Sequence, residues 1–448
     1  MGEDWRMRSL SRFGARLGPL QEREFRLLWI GQSTSAVGDS LIPVAIAFAV
    51  LRIGGSATAI GLVLASFTLP RVVLILVGGV WADRLPRQLV MVAADLVRGT
   101  TELVIAALLI SGVAQLWEIA AGAALIGAAS AFFVPAATGL IPQTVSADRL
   151  QQGNALMSLS RSATGIIGPS ISGILVATVG PGWVFVIDAG TYAASAVSLA
   201  LLRVRRLVTA EVREGFLAEL ASGWREVTSR RWLVAAILTF GFSNVAMGPV
   251  YVLGPVIANQ RLGGAAGWGL IVTAMGVGGL LGGLIALRWR PSRPLAMGFA
   301  ISVAFSFPMF ALAPPLPLAL IMLAGLLALM AIELGNTWWY TVLQQQVPPT
   351  SLSRVSSYDW LASIAFQPIG FAITGPIAAV PAIGVSATLI GAGVLSLAAN
   401  LGVLTVPDVR NLRWARREPA TEAPQPAVVE GHLAGPRAGP VELEEPEP

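Results

Sequence analysis

Apolar residues recur along this chain in twelve runs, each long enough to cross the hydrocarbon of a bilayer as a helix of about 20 residues. In the first half they cover Phe25–Leu51, Thr58–Trp81, Leu89–Ser111, Trp117–Thr138, Ala155–Val179 and Gly182–Leu202. In the second half they cover Trp232–Ile257, Gly267–Leu287, Pro294–Ala313, Pro317–Thr341, Ser357–Val380 and Pro381–Val406. The pattern predicts an all-α membrane protein of twelve spans, numbered here 1 to 12 in chain order.

The polar segments between the runs set the organisation. Residues 1–24 are Arg-rich and lack the apolar core and cleavage site of a signal peptide, so they form a lead-in to a six-helix bundle over 25–202. Residues 203–231 link it to a second six-helix bundle over 232–406. Within the linker, Phe216, Leu217, Leu220, Trp224 and Val227 share one helical face, the pattern of a helix lying on a membrane surface. Residues 407–448 are rich in Pro, Glu, Ala and Gly and are expected to stay disordered.

Composition removes several function classes. The chain is 55% apolar and 12% charged, about half the charge of an ordinary soluble domain, and its mean hydropathy is +0.71. No soluble domain of this size could hide so much apolar surface. There is no Cys, and the only His is His432 in the tail, so thiol catalysis, disulfides and a histidine metal site in the bundle are excluded. No phosphate-binding glycine-lysine loop and no nucleophile paired with a base stands out. The expectation is a protein that is not an enzyme and needs no metal or cofactor.

All 30 basic residues are Arg. With both termini inside, 25 of them fall on the cytoplasmic side, only Arg52 and Arg261 fall outside, and Arg71, Arg98 and Arg161 lie within spans. The positive-inside rule then fixes the orientation and accounts for the net charge of +5 without nucleic acid as a partner.

The two halves repeat each other. Gly31, Ser33, Ala36 and Gly38 match Gly241, Ser243, Ala246 and Gly248 at a constant offset, and Val145, Leu150, Gly168 and Gly173 match Val347, Leu352, Gly370 and Gly375 at another. Fixed offsets in corresponding spans favour a duplicated six-helix unit.

After span 2 the chain reads Gly79-Val80-Trp81-Ala82-Asp83-Arg84-Leu85-Pro86-Arg87-Gln88. This resembles the signature of the major facilitator superfamily between helices two and three, with Pro86 in place of a second Gly and Gln88 in place of a last basic residue. The resemblance implies two pseudo-symmetric six-helix bundles, with Asp83, Arg84 and Arg87 pinning their cytoplasmic ends together as a gate. Span 5 carries Gly165 and then Gly168-Pro169-Ser170-Ile171-Ser172-Gly173, which looks like a partial copy of the glycine-proline motif of exporters in that superfamily. Close helix packing with no bearing on direction is the competing reading. The stretches Leu343–Pro348, Arg354-Val355, Pro368-Ile369-Gly370 and Gly375-Pro376 resemble the subgroup of macrolide-efflux and enterobactin-exporter-like proteins. That likeness extends over about residues 22–406 and names no substrate.

An ionised group at the bilayer centre costs about 2.5–3.5 kcal/mol on insertion scales, so each intramembrane charge calls for a partner or a task. Asp39 lies near the centre of span 1, and Arg71 lies at a similar depth on span 2 as its expected charge partner. The pair reads either as a proton carrier with its modulator or as a static ion pair. Asp95, Arg98 and Glu102 follow one face of span 3 and can satisfy one another; Asp95 and Arg98 are near enough to the cytoplasmic end to belong to the gate, and Glu102 is deep enough to titrate. Glu333 lies about 6 Å inward of the midpoint of span 10 with no basic neighbour in sequence, a second candidate for binding and releasing a proton.

In the family that the chain resembles, helices one, four, seven and ten line the central cavity, which makes Gln32, Phe132, Phe133 and Asn244 candidate substrate contacts. Trp338, Trp339 and Tyr340 read as an interfacial aromatic belt, and Asp188, Arg161 and Asp359 as structural. The sequence thus points to a monomeric secondary transporter in the cell membrane that exports a small amphipathic organic molecule in exchange for protons. An importer or facilitator of the same fold and a non-transporting sensor or scaffold are the alternatives.

Overall fold

The computed structural model describes residues 18–203 and 224–414, without the side chains of residues 76, 78–80, 82–84, 349–350, 353–354, 360 and 362. Among the described residues there is no strand, and twelve helical spans follow one another in chain order. The first six are Arg23–Arg52, Ala57–Arg84, Arg87–Ser111, Leu116–Leu140, Leu150–Thr178 and Pro181–Ala200. Span 7 is Arg231–Arg261, span 8 Gly264–Ala286, span 10 Leu318–Gln346 and span 12 Gly384–Gly402.

Spans 9 and 11 are each broken, and proline explains both interruptions. Span 9 runs Pro294–Ser302, tightens into a 3-10 turn over Val303–Ser306 and resumes at Phe307–Leu312, with Pro308 in the first turn of the resumed helix. Span 11 runs Pro349–Ala365 and then Gln367–Ala379, and Pro368 lacks the amide that would have continued the ladder across Phe366.

Ten of the twelve spans are long and apolar enough to cross a membrane by composition alone. Span 3 fails that test because Asp95, Arg98 and Glu102 interrupt it. These three are 1%, 3% and 0% exposed, whereas Leu103 and Val104 beside them are half-exposed, so the helix turns its charges inward and its aliphatic face to lipid.

The packing follows the internal repeat. Gly173 on span 5 lies against the backbone of Ala265 on span 8, and its repeat mate Gly375 on span 11 lies against the backbone of Thr58 on span 2. Each is a place where only a glycine lets a helix of one half approach a helix of the other so closely. These seams occupy the end away from the chain termini, where one apolar core joins both halves through residues such as Ile60, Phe185, Val250, Trp268 and Phe371. At the termini end the core divides in two: Phe25, Met91 and Leu140 pack within the first half, and Trp232, Trp339 and Val355 within the second. The halves therefore touch at one end and part at the other.

One segment boundary differs from the sequence expectation. Residues 407–414 pack against the second half, because Val409 is fully buried and the Trp414 indole donates to the Pro291 carbonyl at 2.7 Å. Near the start of span 1, Glu22 accepts from the Ser146 amide at 2.9 Å and from the Ser146 hydroxyl at 2.7 Å. The expected surface-helix residues Phe216, Leu217 and Leu220, the rest of the tail and His432 lie outside the described residues.

Candidate functional site

Asp39, Asp95, Arg98, Glu102 and Asp188 converge where spans 1, 3 and 6 meet. Arg98 is the hub. Its guanidinium donates to Asp95 one turn away, lies 3.9 Å from Asp39 Oδ1 on span 1, and is sandwiched between the Phe133 ring at 4.1 Å and the Tyr192 ring at 4.3 Å. Stacking between two aromatic faces keeps the cation buried while leaving its edges for carboxylates. Tyr192 on span 6 then donates its hydroxyl to Asp39 Oδ1 at 2.5 Å. Asp95 is sealed in, but the Asp39 side chain is 49% exposed. In a membrane protein an exposed carboxylate must face water rather than lipid, so Asp39 opens the cluster to the aqueous cleft.

Behind this hub is a second carboxyl pair. Glu102 on span 3 and Asp188 on span 6 are each 0% exposed, and their carboxyl groups interact directly. Thr191 donates to Asp188 Oδ1 at 2.8 Å, while Asp188 Oδ2 and both Glu102 oxygens have no hydrogen-bond partner among the described residues. Two facing carboxyls with three unserved oxygens lack a donor, and a proton held between them would supply it. Gly38 makes room for the pair, since a methyl group there would overlap the Asp188 carboxyl and the Thr191 hydroxyl.

Several expectations change with this geometry. Arg71 interacts with Asp39 through space, but the ion-pair partner of Asp39 is Arg98; Arg71 makes no ion pair within 4.0 Å among the described residues, and its Nε is buried without a partner. Asp95 and Arg98 lie in the buried hub, where span 3 turns that face toward spans 1 and 6. Phe133 covers Arg98, so it serves the hub and not an open pocket wall. Gln32 is half-buried, and its Nε2 has no partner.

The loop signature is only partly visible. Gly79, Asp83 and Arg84 fall on the last turns of span 2, and their side chains lie outside the described residues. Arg87 opens span 3 and donates to the Gly139 carbonyl of span 4 at 2.6 Å, a bond within the first half. In the exporter-like motif, Gly168 packs on Ser40 of span 1, and the Pro169 carbonyl meets Gly269 of span 8. The hydroxyls of Ser170 and Thr273 are 2.7 Å apart across the same seam. Gly165 faces the groove where spans 5 and 8 separate, a space of about 570 Å³ that also takes in Gly279, Gly283 and the half-buried Glu333. Glu333 thus lies on the boundary between the halves, away from the cluster around Asp39.

The second half contains a cavity of about 300 Å³ between spans 7, 9, 10 and 11, with Asn244 on its wall. Trp339 and Trp338 are 3% and 2% exposed, so they are core residues and not an interfacial belt; the run fails as a belt because two of its members turn into the bundle. Tyr340 remains half-exposed. No group of three or more metal-binding side chains occurs among the described residues. Sequence reasoning read Asp188 and Asp359 as structural and missed Tyr192; for the two aspartates the signal present was the cost of a carboxylate inside a span.

Two repeated helical halves, a seam of small residues at one end, a cleft at the other and a charge cluster open to the cleft define a membrane transporter. The chain belongs to the Major Facilitator Superfamily, whose family model matches residues 28–363. It is 26% identical over 410 residues to the multidrug efflux pump Tap of Mycolicibacterium fortuitum, covering 87% of this chain and 97% of that protein. It is 28% identical over 404 residues to the enterobactin exporter EntS of Escherichia coli strain K12, covering 88% of this chain and 94% of that one. Among solved structures, a mutant form of the nucleoside transporter NupG superposes with a TM-score of 0.70 at 11% identity, over 86% of this chain and 99% of that chain. A bacterial homologue of the human lysosomal transporter Spinster, in an inward-facing and unoccupied conformation, superposes at 0.65 with 16% identity, over 87% and 98%. These structural likenesses concern the fold. The chain is a transporter of that superfamily and a multi-pass protein of the cell membrane.

Proposed function

We propose that this transporter expels a small amphipathic organic molecule by alternating access, as a monomer with both termini in the cytoplasm, and that protons moving inward drive it. The observation that carries the coupling is that water-exposed Asp39 is held by Arg98 and Tyr192, and that the sealed Glu102 and Asp188 pair lies one helical turn from those same two residues on spans 3 and 6. Asp39 exchanges protons with the cleft, and the carboxyl pair stores one where water does not reach. Protonation of Asp39 releases Arg98 toward Asp95, and loss of that proton draws it back, so the charge state biases how spans 1, 3 and 6 pack. Glu333, on the boundary between the halves, is a secondary proton site that senses whether spans 5 and 8 are apart.

The arginine distribution supports a cytoplasmic placement of the termini end, which makes the cleft inward-open. One proton falling through 100 mV yields about 2.3 kcal/mol, enough on its own to sustain roughly a fiftyfold gradient. The relatives named for drug and enterobactin export support a cargo of that general kind.

The test is proton release from acidified inside-out vesicles on addition of a transported molecule. An antiporter releases protons under these conditions, and Asp39→Asn or Glu102→Gln abolishes the release. Uptake by intact cells down the same proton gradient, without release from the vesicles, would identify an importer instead.

A further inference from the structure

The cavity in the second half has a chemistry of its own. Asp359 on span 11 is 4% exposed; its Oδ2 accepts from the Trp339 indole at 3.0 Å, and its buried Oδ1 has no hydrogen-bond partner among the described residues. The surrounding wall is aromatic. Phe240 meets Trp339 edge-on with ring centroids 5.0 Å apart and stacks on Phe299 at 5.7 Å, and Tyr340 lines the same space. Among the described residues no arginine lines the cavity, so its one charged group is the Asp359 carboxylate.

We propose that this cavity is a binding site for organic cations, in which Asp359 carries the countercharge and the rings of Phe240, Phe299 and Trp339 take the apolar body. A buried carboxylate without a cation is costly, and a positively charged ligand supplies the partner that Oδ1 lacks. Aromatic faces add attraction for a cation but give no such preference to its neutral isostere. The volume of about 300 Å³ is at the small end of the range for ligand pockets, which suits a flat molecule of a few fused rings. Trp339 holds one carboxylate oxygen in place, and so aims the other at the ligand. Asn244 lines the same cavity, and because its amide nitrogen donates to the Phe240 carbonyl at 3.0 Å, its oxygen is the group it can offer an N–H of the ligand.

Taking such a cation as the cargo rests on the export reading; binding does not. The experiment is therefore equilibrium dialysis of the full-length protein, purified in detergent with no gradient, against N-methylphenanthridinium, a permanent cation, and neutral phenanthridine at a pH near 8. The wild type is expected to bind the cation at least tenfold more tightly than the neutral ring. Asp359→Asn is expected to weaken the cation at least tenfold while leaving the neutral ring within about twofold, and Asp359→Glu to restore most of the cation affinity. Equal affinity of the wild type for the two probes, or no binding of the cation, overturns the proposal without any variant having to fold. Unchanged cation binding by a monodisperse Asp359→Asn protein also overturns it, whatever happens to proton release in vesicles. Failure of proton release with charge-selective binding intact would count against the exchange mechanism alone.

Discussion

The hydroxyl of Tyr192 donates to Oδ1 of Asp39 at 2.5 Å while the ring of the same tyrosine lies 4.3 Å beneath the guanidinium of Arg98. One side chain on span 6 thereby holds the water-exposed acid of span 1 and the buried cation of span 3 in register. A hydrogen bond to a charged group is worth about 1.5–3 kcal/mol, and loss of the ring removes packing as well. Tyr192→Phe is therefore expected to keep the fold, with a small drop in melting temperature in detergent, and to shift the pH at which substrate-driven proton release is half-maximal. Tyr192→Ala is expected to lose substantially more stability. Equal melting and pH profiles for the two variants would contradict this arrangement.

Glu102 and Asp188 are expected to behave as one unit. Replacing either carboxyl by its amide provides the donor that the pair otherwise draws from a proton. Glu102→Gln and Asp188→Asn should each keep or raise thermal stability and each abolish proton release. The double variant should be less stable than the two single changes predict, with a coupling in the range of about 0.5–3 kcal/mol for groups in contact. Additive melting shifts would separate the two residues.

Glu333 faces a different space, the groove between spans 5 and 8. Glu333→Gln is expected to slow exchange severalfold without abolishing it, as measured by the rate of proton release at saturating substrate. A complete loss equal to that of Glu102→Gln would move the principal proton site to the second half.

The seam between spans 5 and 8 can be locked. The chain has no Cys, and the hydroxyl oxygens of Ser170 and Thr273 are 2.7 Å apart. Ser170→Cys with Thr273→Cys should oxidise to a disulfide that holds this end of the two halves together. Transport should stop on oxidation and return on reduction. Full transport by the oxidised protein would show that the seam does not open in the cycle.

Orientation has its own measurement. Val113, 62% exposed between spans 3 and 4, should react as Val113→Cys with a membrane-impermeant maleimide in intact cells. Ser229→Cys, at the opposite end before span 7, should react only after permeabilisation. The reverse pattern would turn the molecule over.

The solvent, the number of spans, their order and the internal repeat were all legible in the linear pattern of residues. Those properties are local: a run of apolar residues in lipid must close its own hydrogen bonds as a helix, and glycines at fixed offsets mark where duplicated helices approach. Even span 3, which fails on composition, was legible because its three charges share one face. What the sequence could not show is which side chains from different spans meet. Arg71 and Arg98 are both arginines at reachable depth, and only the packing of spans 1, 3 and 6 brings Arg98 to Asp39 and leaves Arg71 without an ion pair within 4.0 Å among the described residues. Asp188 and Asp359 looked like isolated charges until tertiary contacts placed one against Glu102 and the other on the wall of an aromatic cavity. Trp339 read as an interfacial anchor because aromatic residues near a span end usually are; helix rotation turned it inward onto Asp359. Rotation and pairing of helices are set by packing summed over the whole bundle, and no single span carries that information.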